Sequence, residues 1–255
     1  MFDSHCHLHD DALFADAKVV IDSARQAGVT KLLLAGVEQS GWSRQRALSE
    51  DYSGVYCALG WHPWMAAERG LDREQLGALE AALADGAIAV GEIGLDKSAR
   101  YADRLAEQAQ GFADQLDIAA ARGLPVVLHV VRAHGEVLAL LGKRASSGGI
   151  VHSFAGSTEI ARRYLDLGFA ISFSAAICSD RPQLQAVARF VPDDRLLVET
   201  DAPFQRPRSL GQQRYEPRHL PVVIEKLAKL RNSPVAWIAQ TTAANSIKTL
   251  RIRSS

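Results

Sequence analysis

Cysteine is scarce in this chain, with only Cys6, Cys57 and Cys178 among 255 residues. Three scattered thiols make no disulfide framework, and an odd number leaves one over, so a reducing cytoplasm is the expected location. Net charge is missing as well, because 29 Lys and Arg balance 29 Asp and Glu. That removes the bulk cationic field that draws proteins to nucleic acid or to membranes, and any polyanion must be held locally. No apolar run approaches the ~20 residues that span a bilayer, and no basic segment leads into a short apolar one at the amino end. The expectation is a soluble, unexported protein with no membrane contact. Linkers, low-complexity tracts and internal repeats are also missing, so residues 1–255 read as a single domain, taken as monomeric.

What the chain does have is alternation. Short apolar runs occur at residues 2–7, 29–37, 55–60, 87–90, 125–128, 149–151, 169–173 and 196–198. They resemble strands buried on both faces. Between them lie segments with helical spacing at 13–27, 43–49, 73–83, 104–121, 133–141, 157–167 and 183–190, and two more follow at 221–230 and 234–247. Gly28, Gly86, Gly123 and Gly168 each stand just before a new run, where a helix is capped and returned into a parallel strand. Eight strand–helix units in a chain of this length predict an α/β fold, a closed (β/α)8 TIM barrel of the size usual for that architecture. A doubly wound open sheet is the second choice.

The active site of such a barrel lies at the carboxyl ends of its strands, so the residues that end each run matter most. The first run carries His5 and His7, which an extended backbone places on one face. Later runs end in Trp61-His62-Pro63, Glu92, His129, His152 and Asp201. Alone, each has a plain explanation as a hydrogen-bonded histidine or a capping carboxylate. Together they make a costly polar cluster unless a divalent cation binds them. His5, His7, Glu92, His129, His152 and Asp201 are six candidate ligands, more than one catalytic zinc uses. The spacing therefore predicts two ions bridged by Glu92, with His5, His7 and Asp201 on one side and His129 and His152 on the other. A single ion, with two of the six holding the others in place, is the alternative. Manganese and zinc suit these donors; magnesium enters with the resemblance described next.

These residues occur in ordered motifs. Asp3-Ser4-His5-Cys6-His7, Gly60-Trp61-His62-Pro63, Gly91-Glu92-Ile93-Gly94-Leu95-Asp96, Leu124-Pro125-Val126-Val127-Leu128-His129, His152-Ser153-Phe154 and Glu199-Thr200-Asp201-Ala202-Pro203 together resemble the TatD family of metal-dependent hydrolases, within the amidohydrolase-like barrels. The stretch from His129 to His134 is nearest the YjjV-like branch. The resemblance spans nearly the whole chain. It implies a deoxyribonuclease, a 3'-5' exonuclease using a two-metal-activated water, with the six residues above as ligands and Mg, Mn or Zn as the ions. Its substrate would be DNA ends or short single-stranded nucleic acid. The chain departs from the family pattern at Arg132, which stands one residue later than usual after the fifth strand, at Lys97-Ser98 in place of an aromatic pair, and at Arg214-Tyr215-Glu216-Pro217.

Asp201 and Glu92 are the expected catalytic residues, with Asp201 taking a proton from the attacking water. His62, Arg132, His134 and Arg206 are the expected substrate contacts, part of a local basic rim that includes the arginine-rich loop 205–217. Trp61, Trp64 and Phe154 are candidates for stacking on bases. Two other readings stand beside this one. The same fold serves amidohydrolases and aminoacyl-ester (D-aminoacyl-tRNA) deacylases, although relatives of that kind often bridge their metals with a carbamylated lysine where this chain has Glu92. The other reading is a non-catalytic, metal-stabilised nucleic-acid-binding protein.

Overall fold

Val-, Leu-, Ile- and Ala-rich runs with both faces buried pair side by side in chain order, each parallel to the next. They are β1 (Phe2–Cys6), β2 (Lys31–Ala35), β3 (Val55–Leu59), β4 (Ala89–Asp96), β5 (Val126–Val131), β6 (Gly149–Val151), β7 (Phe169–Phe173) and β8 (Leu196–Val198). This is a computed structural model, and it describes residues 1–253. The ring closes just beyond β8, where the Asp201 amide donates to the His5 carbonyl at 2.9 Å and the His7 amide to the Ala202 carbonyl at 2.7 Å. Buried Asp3 reinforces that seam, its carboxylate accepting from the Thr200 amide at 2.9 Å and the Thr200 hydroxyl at 2.6 Å. The fold is the expected (β/α)8 barrel.

One residue from each strand fills the barrel interior: Phe2, Leu33, Ala58, Ala89, Val127, Ile150, Ala170 and Leu197 form one buried cluster with Leu250. Large and small side chains share this layer, so the barrel has a packed floor rather than a pore. The larger cluster lies between the strands and the surrounding helices. Cys6 belongs to it, facing away from His5 and His7 as strand alternation predicts. No helix among the described residues is long and apolar enough to cross a membrane.

The structure differs from the sequence expectation in four local ways. The helix expected over 13–27 is two, α1 (Asp11–Phe14) and α2 (Ala17–Gln26), and Asp16 between them pairs with Arg214 at 2.7 Å. The next helix, α3 (Gln39–Asp51), is nearly twice the expected length, with Trp42, Gln45 and Leu48 on its buried face. An extra helix, α4 (Pro63–Arg69), follows β3. It starts with proline at its first position and with the His62 side chain accepting from the Trp64 amide, a standard helix start that apolar periodicity does not reveal. Most consequential for the site, β4 runs to Asp96 and β5 to Val131, so Glu92 and His129 lie within strands rather than beyond their ends.

Gly94 makes that extension possible. It pairs with His129, has φ of 145°, and a Cβ there would run into the His129 carbonyl oxygen. Gly94→Ala is expected to cost about 2–4 kcal/mol, a fall of roughly 5–15 °C in melting temperature, and to displace His129. Thermal denaturation checks this. A parental melting temperature would show that β4 and β5 can separate without loss.

Candidate metal centre

Rigid strands bring six polar side chains to one point above the barrel floor, all at most 9 % exposed. The Nε2 atoms of His5 and His7 lie 3.1 Å apart, as the two-residue spacing requires. Asp201 Oδ1 faces both, at 3.5 Å from His5 and 3.2 Å from His7. Glu92 stands at the centre with its two oxygens turned to different partners. Oε2 is 3.2 Å from His5 Nε2 and 3.7 Å from His7 Nε2. Oε1 is 2.6 Å from His129 Nδ1 and 2.8 Å from His152 Nε2. Ligand-type atoms gather into three overlapping sets, His5–His152–Asp201, His5–His7–Glu92 and His62–Glu92–His129. Imidazole nitrogens and carboxylate oxygens converging in this way fit a divalent cation.

Carboxylates behind the ring fix which nitrogens face inward. Glu199 Oε1 lies 3.2 Å from His152 Nδ1 and accepts the Ser153 amide at 2.7 Å, so His152 keeps a proton on its outward Nδ1 and its Nε2, facing Glu92, is the nitrogen left for an ion. Asp96 Oδ2 lies 3.3 Å from His129 Nε2 and in the same way leaves Nδ1 as the nitrogen of that ring facing Glu92. This is the usual way a protein orients metal-binding imidazoles. Asp96 and Glu199 fall inside the sequence motifs without an assigned role, and the only sequence signal for them is a carboxylate within a buried strand or just after one. His62 is the opposite case. Its Nδ1 accepts the Trp64 amide at 3.2 Å, so the neutral ring carries its proton on Nε2, which points toward His129 and Glu92. Burial and the His129 charge push His62 down to about 4, and it stays neutral.

The other shifts follow from burial set against charge. Burial would raise Glu92, but the imidazoles around it, His152 and His5 ahead of His62 and His129, hold it well below the usual carboxylate range. Burial likewise opposes ionisation of Asp201, yet the hydrogen bond from His7 and the neighbouring imidazoles keep it low. His7, His129 and His152 are raised despite burial, because Asp201, Glu92, Asp96 and Glu199 favour their charged forms. Burial and the His152 charge lower His5. Burial also raises Asp3 to about 7.

Above the cluster opens a cavity of about 990 Å³, lined on its floor by His7, His62, Glu92, His129, His152 and Asp201. Among the expected substrate contacts, Arg132 and His134 line it as well. Arg132 is exposed and makes no ion pair among the described residues, whereas His134 Nδ1 meets the Tyr164 hydroxyl at 3.2 Å. Arg206 lies outside the lining and donates to the Gln213 carbonyl at 3.3 Å. Arg214 in the same loop pairs with Asp16 and Glu216, and neighbouring Arg218 pairs with Glu216. Arg181, which the sequence did not single out, lines the cavity instead. Trp61 and Phe154 are buried in packing, so they present no face to the mouth. Trp64 does, 38 % exposed beside His62, and so does Phe204, 48 % exposed against His7. Cys178 is half-buried against the Val222 carbonyl.

With this geometry the likeness to known proteins has a structural basis. Residues 2–251 match the family described as TatD related DNase. The chain is 31 % identical to the uncharacterized metal-dependent hydrolase YabD of Bacillus subtilis, over 99 % of each chain. It is 32 % identical to the 3'-5' ssDNA/RNA exonuclease TatD of Escherichia coli, over 98 % of each. The crystal structure of YjjV, a TatD homologue from E. coli, superposes with a TM-score of 0.92 at 32 % identity, covering 99 % of this chain and 98 % of that one. The barrel, its histidine–carboxylate centre and these matches over the full length make one case: the chain belongs to the TatD related DNase family of metal-dependent hydrolases.

Proposed function

We propose that the protein is a 3'-5' exonuclease that hydrolyses phosphodiester bonds at the ends of single-stranded DNA or RNA, with two divalent ions in its centre. The observation that carries this is Glu92, whose two oxygens address two separate sets of imidazoles at the floor of an open cavity. His5, His7 and Asp201 would hold one ion and His129 and His152 the other, with Glu92 between them. Bound there, divalent ions make water a nucleophile near neutral pH and offset phosphate charge.

The chain's own groups do the rest. Asp201 is ionised across the neutral range and is the acceptor for the proton of the attacking water. His62, neutral with its proton on the inward Nε2, donates to a phosphate oxygen without adding charge. Arg132 and Arg181 on the wall meet the phosphates of the adjoining nucleotides. Trp64 and Phe204 offer faces on which bases can stack, which suits unpaired strands because a paired base already has its neighbours. A neutral protein with only these local cations has no general hold on duplex DNA.

The test is nucleotide release from short single strands labelled at either end, with Mg²⁺, Mn²⁺ or Zn²⁺ added to the metal-free protein. Stepwise shortening from the 3' end is expected. Intact strands with every ion, in protein shown to contain metal, would shift the reading to an amide or aminoacyl-ester hydrolase.

A further inference from the structure

We infer that Gln205 is a positioning residue for the metal centre, a latch that fixes the outer oxygen of Asp201. This rests on the reading of Asp201 as a ligand and proton acceptor. Gln205 follows β8 by seven residues, and its φ of 51° lies in the left-handed region uncommon for a residue with a side chain. Its Nε2 donates to Asp201 Oδ2 at 2.6 Å. Its Oε1 accepts from the hydroxyls of Ser153 and Ser174, both at 2.8 Å, and those hydroxyls lie 2.9 Å from each other. Gln205 as a residue is exposed, but its amide is held by three partners, of which Asp201 and Ser174 are buried.

The chemistry allows only one orientation of that amide. A carboxylate has no hydrogen to donate, so the NH2 end must face Asp201, and the hydroxyls satisfy the carbonyl. Asp201 Oδ2 is thereby tied down while Oδ1 is left to face His5 and His7. The latch reaches a second ligand as well. The Ser153 amide donates to Glu199 Oε1, which also orients His152. The ligands that follow β6 and β8, His152 and Asp201, are thus tied to one another through Gln205, Ser153 and Glu199.

Gln205→Leu keeps the side chain's bulk and removes both ends of the latch. Removing an outer partner of a metal ligand typically costs 10–100-fold in affinity or turnover. The experiment measures Mn²⁺ dissociation constants by equilibrium dialysis, and kcat and KM on a short single-stranded DNA, for the parent, Gln205→Leu, Gln205→Glu, the Ser153→Ala/Ser174→Ala pair and the triple variant. For Gln205→Leu we expect Mn²⁺ affinity or kcat to fall about 10–100-fold, with KM and the metal-free melting temperature unchanged. Gln205→Glu should lose more, because two carboxylates then face each other. The serine pair should lose less, and its cost should vanish once Gln205 is gone. The inference is overturned by parental Mn²⁺ affinity and kcat in Gln205→Leu, by a change confined to KM, or by serine and glutamine losses that simply add. The Mn²⁺ arm stands even if the parent cleaves no nucleic acid, so a failed latch and a failed nuclease assignment give different results.

Discussion

Asp201→Asn is expected to lower the rate of phosphodiester hydrolysis by about 10³-fold or more, within the range that removal of a general base gives. The substitution barely changes size, so the effect isolates chemistry. Asp201 has one oxygen facing His5 and His7 and the other accepting from Gln205. An asparagine satisfies one side only. With its NH2 inward it points hydrogens at Nε2 atoms that must offer lone pairs to an ion, and with its NH2 outward it opposes the Gln205 NH2. In either orientation the side chain cannot take a proton from water. Single-turnover hydrolysis of a short 3'-labelled strand, with metal content measured on the same sample, is the decisive measurement. A metal-replete Asp201→Asn protein within about tenfold of the parent, a loss far below the general-base range, would remove Asp201 from its assigned role and point to Glu92 or an imidazole as the proton acceptor.

Much of this site was legible because the barrel converts sequence position into spatial position. Once the apolar runs are numbered as parallel strands, the residues that close them share a rim, and His5, His7, Glu92, His129, His152 and Asp201 do converge. Period-two alternation also separated Cys6 from the histidines on either side. What the sequence hid were relations that depend on loop paths. The arginines of loop 205–217 read as a grip on phosphate, but Asp16 and Glu216 already engage Arg214, and Glu216 engages Arg218. Arg181 lies far from the motifs in sequence and reaches the cavity only because the segment after β7 folds over it. Gln205 carries no signal in composition, and its partners Ser153 and Ser174 lie just after two other strands, β6 and β7. The extension of β4 through Glu92 to Asp96 was masked because its glycines and carboxylates interrupt the apolar pattern. In the fold they are buried between neighbouring strands.

Removing the metal is expected to lower the melting temperature more at pH 8.5 than at pH 6, and to leave a metal-free protein most stable near pH 6.5. Two groups of residues act in opposite directions. Burial lowers His5, and it takes His62 to about 4 and His9 to about 3, below the 6.5 of an ordinary imidazole. Between those values and pH 6.5 the unfolded chain binds more protons than the folded one, so stability rises with pH. His7, His129 and His152 are raised, so above pH 6.5 the folded chain holds protons the unfolded chain has released. Their contribution is complete below pH 6.5 and is lost as pH climbs through their folded values. Deprotonation there leaves Glu92 and Asp201 buried without compensating charge. Asp3, raised to about 7, opposes the first trend from its ordinary value upward and adds nothing beyond neutrality. A bound ion reverses the alkaline limb, because it needs those same imidazoles neutral and its affinity rises as they lose their protons. With Mn²⁺ at about 100 times its dissociation constant the stabilisation is about 2.7 kcal/mol, or roughly 5–10 °C for a chain of this size. Melting curves with and without chelator across pH 5–9 measure it directly. A metal-free protein that keeps gaining stability from pH 6.5 to 8.5 would mean that the buried carboxylates are compensated by something other than the three raised histidines.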